Sequence, residues 1–252
     1  MHIDFHSHVK ISKKSAFQPD YFEQMIEEAK LNGLDAICLT EHFNTIRFFD
    51  VYDYLDAHYR YIDDYYDVNG FKVFPGMEVD VKEGGHTLVI GQRQSIRTMR
   101  EQLNPYTTKD NFISIDQLNE WVKVNNCLFI GAHFYRESTP LIHLTDQQLH
   151  YFDALDLNGK DLFSYDMTSY QEKLTEVADR LNLPIVGGSD THHFLQYGVI
   201  YNTLNNVVTI EALKEAVINH QVKVTIDPSL PVRVKGATVA KKYLKRLVEV
   251  TV

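Results

Sequence analysis

Cysteine is scarce here: the 252 residues hold two, Cys38 and Cys127. Both fall in apolar runs, DAICLT and NNCLFIGAH, that read as buried strands. A disulfide framework is excluded at that density, and free core thiols are expected. Long apolar runs are lacking too. None approaches the roughly 20 residues needed to span a bilayer. The opening MHIDFHSH has no basic segment followed by an apolar one. A cytoplasmic protein with no membrane partner is expected. Basic charge is in deficit, with 25 Lys and Arg against 34 Asp and Glu, a formal charge of -9. That argues against duplex nucleic acid, which calls for a basic face. A small anionic substrate stays possible, because bound cations reverse the local field of an acidic protein. Repeats, low-complexity segments and a dividing linker are also missing, so one domain over 1–252 is expected.

What remains is the composition of an ordinary globular protein, 44% hydrophobic and 23% charged, long enough to bury a substantial core. Short apolar strands recur at 2–5, 35–40, 71–74, 86–91, 127–132, 153–157, 184–188 and 222–226. Helical patterns lie between them. The run from Pro19 to Lys30 has proline in its first turn and Asn32-Gly33 as a stop. Ser114 to Gln117 and Thr145 to Gln148 fit the capping box, and Thr209 can cap a helix running to about Asn219. Strands alternating with helices predict βα units in a mainly parallel sheet or barrel.

Three other stretches invite a reading. Tyr52, Leu55, Tyr59, Ile62 and Tyr66 follow the spacing of one helical face, so this tyrosine-dense stretch is expected to pack into the core rather than stack on a base. The stretch 92–113 reads as an irregular insertion near the catalytic face that could act as a lid. From Arg233 the chain is locally basic, with Val239, Tyr243 and Leu247 as the apolar stripe of a docked helix over about 234–252.

Twelve histidines exceed what a core needs, and their placement is the stronger signal. His6-Ser7-His8 follows the first strand, Glu41-His42 closes the second, and Gly76-Met77-Glu78 follows the third. His86 opens the next, His133 ends CLFIGA, and Asp190-Thr191-His192 follows PIVGG. In an α/β barrel the carboxyl ends of the strands converge on one face, where active sites sit. Residues at i and i+2 of extended chain point the same way, so His6 with His8, and Asp190 with His192, can each grip from one side. Imidazole and carboxylate without thiolate suit Zn, Mn or Fe. Glu78 can bridge two cations at the spacing of two-metal hydrolysis. Each motif alone has a bland explanation; six of them in order after successive strands do not.

These residues resemble a family. His6-Ser7-His8, Thr40-Glu41-His42, Pro75-Gly76-Met77-Glu78, Ala132-His133-Phe134 and Gly188-Ser189-Asp190-Thr191-His192 are similar to the successive motifs of the PHP (polymerase and histidinol phosphatase) family. Glu211-Ala212-Leu213 through Val224 resembles its closing helix and strand. The resemblance implies a distorted (β/α)7 TIM-like barrel holding two or three divalent ions. It implies His6, His8, Glu78 and Asp190 around the first, His42 and His192 at the second, and Glu78, His86 and His133 at the third. Two departures stand out. The acid or histidine that usually completes the second site, five residues after His8, is here Lys13, which cannot ligate. Glu41 stands where the family usually has Asp.

The expected reaction is hydrolysis of small-molecule phosphate monoesters. A metal-held water, acidified toward neutrality, supplies hydroxide, while the cations neutralise the phosphoryl oxygens. Glu78, Asp190 and His192 are expected to carry catalysis. Arg136 is a candidate phosphate clamp, with a surface salt bridge as its alternative. Lys13, Asn158 and His193 are further candidates for substrate contact. The rivals are a C–N bond hydrolase using the same ions and a catalytically silent metal-binding module. A DNA-trimming exonuclease is disfavoured by the charge.

Overall fold

The computed structural model describes residues 1–248. In chain order the elements are β1 (His2–Ser7), α1 (Pro19–Leu31), β2 (Ala36–Leu39), α2 (Phe49–His58), β3 (Arg60–Ile62), β4 (Tyr65–Val68), β5 (Phe71–Asp80) and β6 (His86–Ile90). They continue with α3 (Arg93–Gln102), α4 (Ile115–Val124), β7 (Leu128–Ala132), α5 (Asp146–Leu149), β8 (Ala154–Asn158), α6 (Gly159–Ser164), α7 (Met167–Leu181) and β9 (Ile185–Gly188). The last are β10 (Ile200–Thr203), α8 (Ile210–Ile218), β11 (Lys223–Ile226) and α9 (Leu230–Val248). The expected caps form: Ser114 accepts from the Gln117 amide, Thr145 and Gln148 make a full capping box, and Thr209 accepts from the Ala212 amide.

The sheet runs β11-β10-β1-β2-β5-β6-β7-β8-β9 and is nearly closed into a barrel. Two backbone bonds close it, from the Asp190 amide to the His6 carbonyl at 2.8 Å and from the His8 amide to the Thr191 carbonyl at 3.0 Å. Below them the side-chain amide of Asn202 spans the seam, bonding both backbone groups of Gly187 and the carbonyl of Ile3. One apolar cluster joins Ile3, Phe5, Cys38, Phe74, Leu88, Ile130 and Val186 from successive strands to Ile210, Leu213 and Val217 of α8. A second, larger cluster packs α1, α2, α3, α4 and α7 against the sheet. Each such fully buried Leu, Ile or Phe contributes roughly 1.5–3 kcal/mol.

The sheet is less parallel than expected. β1-β2-β5 and β7-β8-β9 are parallel, but β6 runs antiparallel between β5 and β7. The chain therefore leaves β6 at the far end of the barrel. The stretch 92–113 starts there as α3, whose Arg97 pairs with Asp53 and Asp56, and it is largely regular rather than a lid. Only its end returns toward the mouth, where the Ile113 carbonyl accepts from Lys82.

The tyrosine stretch is not one helix. It is α2 followed by the β3-β4 hairpin, which then turns into β5 through Asn69-Gly70, both at positive φ. Tyr52, Leu55 and Tyr66 are buried as expected for core packing, with Tyr59 and Ile62 half-buried.

On α9 the docked face is also another one. Leu230, Val234 and Ala237 are buried, with Lys241 and Leu244 half-buried on the same stripe, while Val239, Tyr243 and Leu247 are exposed. Residues 249–252 of the expected tail lie outside the described residues.

Candidate metal centre

The barrel mouth is built by strand ends. The register of β1 on β2 shifts between Asp4 and Ser7, a bulge that re-aims the chain where His6 and His8 lie. An isolated parallel bridge joins His42 to Glu78, fixed by the Glu78 amide on the Glu41 carbonyl and the Phe43 amide on the Glu78 carbonyl. Because β6 is antiparallel, its first residue stands at this mouth rather than its last. That is how His86, which opens a strand, reaches residues that close theirs; it pairs with Asp80 and with Ala132, next to His133. His133 and Asp190 both sit at positive φ, 33° and 52°, a conformation disfavoured for residues with a Cβ and often found at functional sites.

Glu78 is the hub and is 1% exposed. Its Oε1 lies 2.5 Å from His86 Nδ1, 3.1 Å from His133 Nε2 and 3.5 Å from His6 Nε2. Its Oε2 lies 2.5 Å from His42 Nδ1 and 3.5 Å from His8 Nε2. Asp190 faces the same space: Oδ1 is 3.4 Å from His8 Nε2 and 3.9 Å from both His6 Nε2 and His192 Nδ1. Three trios have donor atoms within 4.8 Å of one another: His6, His8 and Asp190; His8, His42 and His192; and His42, Glu78 and His86. These trios bring together seven of the eight ligand candidates, and the eighth, His133, joins them through Glu78 and His86 at 3.1 Å each. The grouping differs slightly from the one the resemblance implied, since His8 also joins His42 and His192, and His42 also joins Glu78 and His86.

This donor set fits divalent ions. His6 Nε2 and His8 Nε2 face each other at 3.3 Å, and His86 Nδ1 and His133 Nε2 at 3.1 Å. Facing ring nitrogens repel unless a proton or a cation lies between them. Nδ1 of His42 and Oε2 of Glu78 are buried close together yet make no hydrogen bond, whereas buried polar atoms are ordinarily paired. Histidine nitrogens and carboxylate oxygens without thiolate form a hard-to-borderline set.

The electrostatics divide the rings: against burial, the neighbouring carboxylates raise His6, His8 and His86, the last to about 9. Burial opposes ionisation of Glu78, yet His86 and His42 overcome it and hold the carboxyl well below its usual range. Asp190 is likewise held down against burial, by Lys160 and Arg136. Burial pushes His42 down to about 4 and His133 and His192 well below the ordinary imidazole value, which favours neutral rings able to ligate.

A surrounding set of carboxylates orients the rings, and sequence reasoning missed it. Asp156 Oδ2 is 3.0 Å from His6 Nδ1, and Asp80 Oδ1 is 2.8 Å from His86 Nε2. Glu41 Oε1 is 3.6 Å from His8 Nδ1. A carboxylate on the far nitrogen of a ligating imidazole fixes its tautomer and raises its basicity. The signal was faint: Asp80 lies at i+2 from Glu78 and Asp156 at i-2 from Asn158, each on the strand that feeds the mouth.

The four expected substrate contacts fare differently. Arg136 is no surface salt bridge: its Nε bonds Asp161 at 2.7 Å, and its Nη2 lies 2.8 Å from Asp190 and 3.0 Å from Asn158. Asn158 is buried, and its Oδ1 also accepts from the amides of Lys160 and Asp161 at the start of α6. Lys13 reaches Asp80 at 3.2 Å and lines a cavity with His42 and His192. His193 accepts from the Leu195 amide, and its ring lies tilted against that of Phe194. Among the described residues its ring makes no hydrogen bond or ring contact with any of the eight.

An α/β barrel with such a mouth is the architecture of a metal-dependent hydrolase. The chain belongs to the PHP family, whose domain model matches residues 4–155. No curated protein matches the sequence significantly. Among solved structures it is similar to PsfC of Pseudomonas syringae, at 20% identity, TM-score 0.78, and 96% and 98% coverage of the two chains. It is similar to a lesion-specific endonuclease of Pyrococcus furiosus at 22% identity and TM-score 0.64, covering 89% of this chain and 58% of that one. A two-domain protein of Bacteroides vulgatus containing a predicted PHP-like metal-dependent phosphoesterase is similar at 18% identity and TM-score 0.59, covering 94% and 69%. At these identities the structures share the fold. No helix among the described residues is long and apolar enough to cross a membrane.

Proposed function

We propose that this protein is a phosphoesterase that cleaves small-molecule phosphate monoesters with two or three divalent ions held by His6, His8, His42, Glu78, His86, His133, Asp190 and His192. The observation that carries the reading is the position of Glu78, whose two oxygens face histidines on opposite sides at 2.5 Å each. Bound Zn, Mn or Fe would supply an acidified water and positive charge opposite the phosphoryl oxygens.

The protein's own groups do the rest. Asp156 and Asp80 hold His6 and His86 in the tautomer that turns a lone pair inward. Arg136, itself braced by Asp161 and Asn158, holds Asp190 ionised and aimed at His6 and His8. Its guanidinium borders the mouth, where it can share a phosphoryl oxygen with Asp190 in the bound complex. Lys13 stands where a further ligand would complete the second site and offers an ammonium to the phosphate instead. Glu78, Asp190 and His192 are the groups nearest the reacting atoms.

Phosphate release from a panel of monoesters, with Mn or Zn supplied and Asp190→Ala as control, tests the reading. Metal-dependent turnover that vanishes in the variant supports it. No turnover on any ester, with metal still bound, sinks it and favours an amide hydrolase or a silent module.

A further inference from the structure

Lysine 241 is out of place by the rules of helix packing. The inward stripe of α9 reads Leu230, Val234, Ala237, Lys241 and Leu244, spaced by four and three, and the fourth member is a cation. The helix is held in this rotation at its base. Arg233 bonds the Leu195 and Tyr197 carbonyls and the Asn32 side chain, and α9 packs on the Phe194–Gln196 turn. Lys241 is therefore held toward the mouth. Two cavities of about 310 Å³ open there, one lined by Lys160, Asp190, His192, Lys241 and Lys245, the other by Lys13, Lys14, His42, His192 and the same two α9 lysines.

The charge here is local and mainly positive. The chain carries -9 overall, yet Lys13, Lys14, Lys160, Lys241, Lys242 and Lys245 ring the α9 side of the mouth. Lys13 and Lys160 have carboxylate partners, Asp80 and Asp190. Among the described residues no carboxylate comes within ion-pair distance of Lys241. Burial and the neighbouring charge of Lys160 push its pKa down to about 8, against the weaker pull of Asp190 and Glu41. A single phosphate seated against the ions at Glu78 and facing Lys13 would be neutralised there, which leaves Lys241 for a different anion.

Building on the phosphoesterase reading, we infer that α9 supplies a second anion subsite, so that the substrate is a small molecule with a further phosphate or carboxylate beyond the scissile phosphate, held by Lys241 and Lys245. The two cavities are too small for a folded partner and meet at His192, so both anionic ends of one small molecule can be held at once.

The test uses calorimetric binding of two non-hydrolysable probes, propylphosphonate and propane-1,3-diphosphonate, to the full chain with and without added Mn. The diphosphonate should bind about tenfold tighter or better, as expected for one added charge-assisted pair. That gap should close in Lys241→Met and in Lys245→Met and persist in Lys241→Arg. Removing a half-buried charge leaves folding intact, and the thermal midpoint checks this. Equal affinities in the wild type, or a gap that survives both Met variants, overturn the inference. Tighter binding of a 5′-phosphorylated oligonucleotide than of the diphosphonate also overturns it, in favour of a nucleic-acid end. A gap that behaves as expected while no phosphate ester is hydrolysed would leave the subsite standing and remove the phosphoesterase reading.

Discussion

Nδ1 of His42 stands 2.5 Å from Oε2 of Glu78, both atoms buried, and no hydrogen bond joins them. The other oxygen of Glu78 meets His86 at the same distance. Both oxygens of this carboxylate face imidazoles within 3.5 Å, the arrangement that the proposed bridging role requires. Glu78→Gln replaces one of those oxygens with an amide nitrogen that cannot ligate. It should lower kcat on the order of a hundred- to a thousandfold, the scale of losing one electrostatic partner of the transition state. Metal analysis should show fewer ions per chain. Retention of both full metal content and full rate would remove Glu78 from the centre.

Ions that bind the folded state alone stabilise it by mass action. Facing ring nitrogens of the centre lie 3.1 and 3.3 Å apart, where an ion between them would also screen their lone pairs. Saturating Mn or Zn at a hundred times Kd should add about 2.7 kcal/mol for one site, or on the order of 5–10 °C in Tm for a chain of this size. Scanning calorimetry with metal and with a chelator reads it. Identical melting in both would mean that no ion binds here.

The orienting carboxylates act at one remove. Asp80→Asn and Asp156→Asn leave every ligand in place but offer an amide to His86 and His6. Metal affinity should weaken by about 10- to 100-fold, the usual effect of losing such a partner. Competition with a chromophoric chelator measures it directly. Unchanged affinity in both variants would reduce these acids to packing groups.

How far the sequence alone carries can be seen residue by residue. His6, His42, Glu78, His133 and Asp190 could be found because each follows a short apolar strand, and strand ends converge in a barrel. Asp156 could not, because its partner His6 lies 150 positions away and no local pattern links them. The tyrosine stretch misled because 52, 55, 59, 62 and 66 satisfy a helical period, while the deciding signals were the turns at Asp63 and Asn69-Gly70. On α9 the rule that apolar residues face inward selected Val239, Tyr243 and Leu247, the exposed face. That rule fails where a lysine has a reason to face inward, and such failures are expected at functional sites.

Lys13 separates two roles cleanly. Its ammonium pairs with Asp80 and borders the cavity at His42 and His192. Lys13→Ala should raise KM for a phosphate monoester about two- to fivefold with metal content unchanged, the cost of one partly exposed charge contact. Lys13→His should instead raise the number of ions bound per chain, because it returns a ligand to the second site. If Lys13→Ala leaves both KM and metal content unchanged, the residue contacts neither substrate nor the metal environment.

Cys127 gives a pH dependence well away from the centre. Burial pushes its thiol up to about 12, against an ordinary value of 9.0, and the side chain packs against Met99 and the backbone of Gly91. Its reaction with iodoacetamide at pH 8 should be about a thousandfold slower in the native protein than in the unfolded chain, following the thiolate fraction. The sign for stability follows from the same shift. The native state keeps its proton to about pH 12, whereas the unfolded state releases it near 9. Stability is therefore fully present below pH 9 and falls by up to about 1.4 kcal/mol per pH unit between 9 and 12. Tyrosines titrate in that window too, so the quantity to measure is the difference between wild type and Cys127→Ala in urea unfolding at pH 8, 9.5 and 11. The variant's cavity lowers its stability by a constant amount, while the gap between the two proteins should narrow as pH rises. A gap independent of pH would show that the thiol titrates normally and is open to solvent.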